Sequence, residues 1–225
     1  MLIKESLNWP KKLIYIFAIA SPIVFMVTSL ILGFLSPGYD NLRHTISRLL
    51  ILKYAWVAKL NFLQFAAGIY AFGIIISENM IHKKSQLLVK KVMAFCALTL
   101  ALIAFSPPHH IDNFMINYSA LSPSAIVHIG LVFGFVIVSP IGINFIAKTF
   151  ASEPTYKSLV KQTQAVGYGA FFLSLTWFLV YWTGVFWDYK GLFQKLLATL
   201  VISWLEILLL QPKEKKVAPE KVNNL

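Results

Sequence analysis

Six long apolar stretches, separated by short polar segments, run along most of the chain. A helix rises about 1.5 Å per residue and the hydrocarbon core of a bilayer is about 30 Å thick, so roughly 20 apolar residues make one crossing. Because backbone groups in lipid must be hydrogen-bonded within their own segment, each stretch predicts a helix. The pattern predicts an all-α integral membrane bundle of six transmembrane helices, at residues 13–35, 55–76, 92–105, 125–146, 165–185 and 192–210.

The third stretch, residues 92–105, is shorter than the others. It becomes long enough to cross if residues 87–89 also enter the membrane while Lys90 and Lys91 extend their ammonium groups to the interface. A locally thinned bilayer would serve equally well.

A short amphipathic segment follows the first apolar stretch. Pro37 and Gly38 predict a turn, and Asp40 is a favourable residue for the N-cap of a helix. Apolar residues then recur at helical spacing, at Leu42, Ile46, Leu49 and Leu50. This pattern predicts a short helix that lies at the outer membrane interface.

The composition agrees with a membrane protein. Hydrophobic residues make up 58% of the chain and charged residues 13%, and the mean hydropathy is +0.70, which excludes an ordinary soluble globular protein. With a cytoplasmic N-terminus, fourteen of the 20 Lys and Arg residues lie in inner segments and six in outer segments. The positive-inside rule therefore predicts a cell-membrane protein with both termini cytoplasmic.

This orientation also explains the net charge. A basic cytoplasmic face beside anionic lipid accounts for the formal charge of +11, so no nucleic acid partner is needed. We expect a cytoplasmic N-terminus over residues 1–12, one transmembrane domain over residues 13–210 and a disordered basic cytoplasmic tail over residues 211–225.

Several polar residues of the outer segments suggest a binding site. Asp40, Arg43, His44 and Ser47 lie three or four residues apart, and His128 lies about one turn into the fourth stretch. An arginine offers a forked set of donors that suits an anionic group. One interpretation is a polar pocket of these five residues that binds a lipid headgroup or a small polar ligand. The other is that Asp40 caps the helix and pairs with Arg43 to fix the loop.

A second outer segment adds His109, His110 and Asp112. Together with His44 and His128 they form a set of imidazoles and a carboxylate that suits Zn²⁺ or a similar metal, which could activate water for hydrolysis of a lipid ester, amide or phosphate. Side chains of adjacent residues diverge, however, so these histidines could instead be hydrogen-bonded to loop backbone. Haem ligation and secondary transport are two further alternatives, and the sequence supports them less well. The sequence does not indicate an oligomeric state.

Three further patterns concern packing. Asn61 and Gln64 are predicted to face the bundle interior and to hydrogen-bond across helices, and Gly130 and Gly134 form a small-xxx-small pair. An aromatic cluster near the end of the fifth stretch is typical of an interfacial belt, although a wall for ligand stacking is an alternative. The cluster consists of Trp177, Tyr181, Trp182, Phe186, Trp187 and Tyr189.

The run GYDNLRHTIS, between the first two apolar stretches, resembles the signature of the polytopic membrane proteins grouped as domain of unknown function 998. The matching positions are Asp40, Arg43, Ile46 and Ser47, with His128 at the opening of the fourth stretch. The resemblance implies a six-span bundle and implies no established activity.

Overall fold

The computed structural model describes residues 9–106, 108 and 121–210, and every regular element in these ranges is helical. Six helices among the described residues are long and apolar enough to cross a bilayer, so the chain is a multi-pass membrane protein. The α-helices are α1 (Trp9–Leu35), α2 (Ala55–Glu78), α3 (Lys83–Phe105), α4 (Pro123–Phe150), α5 (Val160–Thr183) and α6 (Lys190–Leu210).

Five of the six helices begin earlier than the predicted apolar stretches, by nine residues in α3, five in α5, four in α1 and two in α4 and α6. Helix α3 begins at Lys83, and Lys90 and Lys91 lie within it with exposed side chains, which confirms the longer third helix. Helix α1 begins at Trp9 and so includes lysines that were expected to precede it. The expected tail over residues 211–225 lies outside the described residues.

Local signals fix two helix ends near the site described below. The Ser122 hydroxyl accepts a hydrogen bond from the backbone N–H of Ala125 at 3.2 Å, and Pro123 occupies the first position of α4. Helix α5 ends at Thr183 and is followed by Gly184, whose φ of 73° lies in the left-handed region that favours glycine.

Polar side chains join α1 to α2 in the bundle interior. Asn61 Nδ2 donates to the carbonyl of Phe25 at 3.0 Å, and Gln64 Nε2 donates to that of Ser21 at 3.1 Å. The predicted interhelical role of both residues is confirmed. The predicted small-xxx-small pair, Gly130 and Gly134, makes no such interhelical contact among the described residues, because a Cβ added at either glycine would meet none of their atoms within 4 Å.

The connection between α1 and α2, residues 36–54, is called loop 1 below. Asp40 begins a turn in place of the predicted α-helix, and extended backbone at Thr45 separates this turn from a 3-10 helix at Ile46–Ile51. The apolar side chains of Ile46, Leu49 and Leu50 pack into the bundle core. The predicted short interfacial helix is therefore not confirmed, because contacts of these side chains with the rest of the bundle replace continuous α-helical hydrogen bonds.

Two ends of the bundle can be distinguished by the connections that meet there. Loop 1 contacts the first turns of α6 through a hydrogen bond from Leu192 N to Leu42 O at 2.8 Å. At the same end, His128 in the first turns of α4 is hydrogen-bonded to Ser106, the residue that follows α3. We call this the loop-1 end. At the opposite end, the Tyr15 hydroxyl of α1 donates to the carbonyl of Leu209 in α6.

Candidate functional site

A cavity of about 70 Å³, called the polar cavity below, lies at the loop-1 end of the bundle. Loop 1, α4, α5 and α6 all contribute to its wall, and Pro108 contributes from the connection between α3 and α4. A space of this size exceeds the minimum for one water several times, so it can hold a few waters or one small oxyanion. Its polar lining residues are His44, Thr45, Ser47, Arg48, His128, Lys190 and Gln194.

Three of the five residues predicted for the ligand site, His44, Ser47 and His128, line the polar cavity. Asp40 and Arg43 are not among the described residues of its wall. The cavity therefore brings together three of the five predicted side chains and not the other two, and ligand binding by these residues stays a prediction.

Asp40 organises the fold of loop 1. Its Oδ1 accepts hydrogen bonds from the backbone N–H groups of Leu42 at 2.7 Å and Arg43 at 3.1 Å. The bonds from Arg43 and Leu42 hold the pKa of the Asp40 carboxyl below its usual range. This agrees with the capping interpretation of Asp40. The Arg43 side chain pairs with Asp188, with 3.2 Å between Nε and Oδ1, and so joins loop 1 to the segment before α6.

The backbone fixes the proton positions on the two histidines of the cavity. The Asp40 N–H donates to His44 Nδ1 at 2.8 Å, so a neutral His44 carries its proton on Nε2. His128 has the opposite arrangement, because its Nδ1 is hydrogen-bonded to the carbonyl of Ser106, which can only accept. A neutral His128 therefore has its lone pair on Nε2, an atom without a hydrogen-bond partner among the described residues.

The first turns of α6 hold loop 1 in place. Gln194 Oε1 accepts from the backbone N–H of Ile46 at 2.7 Å. Lys195 Nζ donates to the carbonyls of Asn41 at 2.8 Å and His44 at 2.9 Å. A Cβ at Gly191 would lie 2.3 Å from the carbonyl oxygen of His44, so only glycine permits this approach. Loop 1 and α6 thus form one side of the cavity together.

Helix α6 also brings the residues that the sequence interpretation missed. Lys190 and Gln194 line the cavity beside Arg48 of loop 1, and the Lys190 side chain is 4% exposed. In the sequence, Arg48 and Lys190 counted only toward the charge of the outer segments. No signal in the sequence could have found them, because nothing in the spacing connects α6 with loop 1.

The aromatic cluster divides into an inner and an outer group. Trp177 is 2% exposed and its ring lies 4.5 Å from that of Tyr181, between centroids, and both residues line the polar cavity. Trp182, at 75% exposed, faces outward with Phe186 and Tyr189, as expected of an interfacial belt. The sequence left an interfacial belt and a wall for ligand stacking as alternatives. The outer group has the exposure of a belt, and the inner group lies where a ligand wall would be.

The candidate metal site falls largely outside the part of the chain that can be described. His109, His110 and Asp112 are not among the described residues. Within the described ranges, no three His, Cys, Asp or Glu side chains are grouped so that they could hold a metal ion. Binding of Zn²⁺ by the second outer segment stays a prediction.

Comparison with known proteins identifies the family of this chain. Neither the curated proteins nor the solved structures contain a match to the chain. The family model described as "Protein of unknown function (DUF998)" matches residues 19–211. This range covers all but the first ten residues of α1 and the whole of α2 to α6. The chain therefore belongs to the DUF998 family, as the sequence run in loop 1 indicated.

Proposed function

We propose that the polar cavity binds a small anionic group, either the headgroup of a membrane lipid or a free anion of the same chemistry. The observation that supports this most directly is the composition of its wall. Among the described residues, the wall contains two cations, Arg48 and Lys190, and no carboxylate. Charge-assisted hydrogen bonds from such side chains are the usual means by which proteins hold phosphate or carboxylate groups.

Neutral donors and acceptors extend this chemistry. The hydroxyls of Thr45 and Ser47 lie 3.4 Å apart on the loop-1 side. The buried indole Nε1–H of Trp177 has no hydrogen-bond partner among the described residues, and it is a donor. His128 Nε2 adds an acceptor for a ligand hydroxyl or for a protonated oxygen. An anion with several oxygens suits this set better than a halide ion does.

The position of the cavity supports a membrane ligand. We propose that the loop-1 end faces the outside of the cell, since fewer Lys and Arg residues lie in its segments than in those of the opposite end. Exposed aromatic residues at this end, including Trp182, are of the type that lies at headgroup level. On this basis loop 1 lies near the membrane interface, and a lipid headgroup can reach the cavity laterally.

Arg48 provides the decisive variant and Arg43 its matched control. Both arginines belong to loop 1, but Arg43 pairs with Asp188 and does not line the cavity. Native mass spectrometry of protein purified in a mild detergent should detect a retained anionic lipid in the wild type and in Arg43→Gln. We expect Arg48→Gln to reduce this retention about tenfold or more, the effect of losing one charged hydrogen bond.

Titration with inorganic phosphate separates the two sources of the anion. A lipid ligand gives a retained lipid mass that depends on Arg48, whereas a free anion gives phosphate binding that depends on Arg48 without a retained lipid. If neither lipid retention nor phosphate binding differs between Arg48→Gln and Arg43→Gln, the proposed function is wrong.

A metal-dependent hydrolase is the second candidate. It is favoured by the presence of two histidines, His44 and His128, in the wall of one cavity. Metal analysis of the purified protein tests it, because a constitutive site would retain close to one equivalent of Zn²⁺, Mn²⁺ or Fe²⁺. A content below about a tenth of an equivalent would exclude such a site.

A further inference from the structure

A second cavity, of about 90 Å³, lies next to the polar cavity and deeper in the bundle. We call it the apolar cavity. Its wall is almost entirely hydrocarbon and aromatic, with residues such as Phe25, Phe62, Leu100 and Val136 from four different helices. Phe25 stacks on Phe65 at 4.3 Å between ring centroids, so part of the wall is a packed aromatic surface.

The two cavities share part of their walls. Ser47, Val132 and Gln194 line both of them. Polar atoms of Ser47 and Gln194 therefore lie where a cationic space meets an apolar one. This is the order of chemistry along an amphiphile, in which an anionic head is followed by polar linking atoms and then by a hydrocarbon chain.

We propose that the ligand is an anionic amphiphile, with its head in the polar cavity and the first carbons of its chain in the apolar cavity. This inference rests on the proposed function, because it adds a chain to the anion assigned there. An apolar cavity in the bundle core is otherwise space without favourable contacts, and filling it with hydrocarbon gives dispersion contacts and removes apolar surface from water.

The volume of the apolar cavity limits what enters it. An apolar cavity of about 150 Å³ is known to hold benzene, so a space of about 90 Å³ accepts a chain segment of only a few carbons. Binding should therefore become tighter over the first carbons of the chain and then level off. This length dependence distinguishes occupation of the cavity from general partition into lipid, which continues to increase with chain length.

Short alkyl phosphates are suitable probes because they dissolve in water. Methyl, ethyl, propyl and butyl phosphate are titrated by calorimetry into protein in nanodiscs of phosphatidylcholine. We expect methyl phosphate to bind to the wild type, and the affinity to rise by up to about fourfold for each added carbon, the value for burial of one methylene group.

Variants that fill the apolar cavity provide the structural test. Ala198 and Ser139 line the apolar cavity and not the polar one. Ala198→Leu and, as an independent second variant, Ser139→Leu should bind methyl phosphate as the wild type does but lose the gain with chain length. Ala165→Leu introduces the same side chain at an exposed position of α5 outside both cavities and should keep the gain.

The possible results separate the two proposals. If methyl phosphate does not bind to the wild type, both the proposed anion site in the polar cavity and the proposed chain site in the apolar cavity are wrong. If methyl phosphate binds but longer probes bind no better, or if the gain persists in both filled variants, the chain inference is overturned while the anion site stands. A gain that is lost in Ala198→Leu or Ser139→Leu and kept in Ala165→Leu supports the amphiphile.

Discussion

A single buried carboxylate shows how one residue can hold two connections together. Glu153 is 0% exposed and lies between α4 and α5, at the end of the bundle opposite loop 1. It accepts hydrogen bonds from the backbone N–H groups of Ile81 at 2.7 Å and His82 at 3.1 Å. Burial alone would raise the pKa of Glu153, but these bonds and those from the Ser85 and His82 side chains outweigh it and lower the pKa.

We therefore expect Glu153→Gln to lower the free energy of unfolding at neutral pH by about 1–3 kcal/mol, because a neutral amide accepts these bonds less strongly. The depressed pKa means that the carboxylate stabilises the fold above the usual pKa of glutamate and that this contribution is lost as the pH falls through the lower, folded value. Thermal unfolding in detergent can be followed from neutral to acid pH. The melting temperature of the wild type should then fall toward that of Glu153→Gln.

Glu78 offers the control for this measurement. It pairs with Lys11 at 3.6 Å, but both side chains are more than half exposed. Exposed ion pairs contribute little, so Glu78→Gln should leave unfolding almost unchanged. An equal loss in both variants would contradict the role assigned to Glu153.

At the scale of secondary-structure elements, the sequence could not predict the contact between loop 1 and α6. Hydropathy and helix length indicated all six helices, including the third, which continues through Lys90 and Lys91. The fold of loop 1 depends instead on Gln194 and Lys195, which are distant in sequence and bond to its backbone. Periodicity describes what one segment can do alone, so it predicted a surface helix where α6 imposes a turn and a 3-10 helix.

The same limit explains why only some of the predicted site residues line the polar cavity. Asp40 was assigned two roles from local spacing, and the capping role agrees with its hydrogen bonds. Arg48 and Lys190 enter the wall of one cavity only because two segments more than 140 residues apart meet there. No spacing rule connects them, so the cationic lining could not be predicted.

Gly191 tests this contact directly. Because a Cβ at this position would lie 2.3 Å from the His44 carbonyl oxygen, Gly191→Ala must separate α6 from loop 1 or distort one of them. We expect a loss of about 1–3 kcal/mol in the free energy of unfolding, as for other overpacked contacts. Anion binding should weaken as well, since the cavity wall is built from both elements.

Gly130→Ala is the matched control within α4, where the added methyl group meets no atom of the described residues within 4 Å. Alanine has a higher helix propensity than glycine, so this variant should be neutral or more stable by about 0.5–1 kcal/mol. Both melting temperatures can be measured in the same detergent. Similar values for the two variants would show that the approach of α6 to loop 1 does not depend on glycine.

At the scale of the whole molecule, the distribution of Lys and Arg supports the orientation proposed above for the polar cavity. The loop-1 end contains the polar cavity and the exposed Trp182, while the opposite end contains the α2–α3 and α4–α5 connections with several lysines. By the positive-inside rule we propose that the opposite end is cytoplasmic. The cavity would then face the outer leaflet, where the lipid composition decides which anionic head is present.

Cysteine labelling can test this orientation with little background, because the chain has one cysteine, Cys96, which is 8% exposed. In a Cys96→Ala background, Lys53→Cys introduces an exposed thiol in loop 1 and Ser152→Cys one at the opposite end. A membrane-impermeant maleimide should label Lys53→Cys in intact cells, but Ser152→Cys only after permeabilisation. The reverse pattern would place the cavity at the cytoplasmic face, so that an outer-leaflet lipid could not be its ligand. Labelling of both in intact cells would contradict the bundle itself, since the helices between positions 53 and 152 must carry the chain across the membrane an odd number of times.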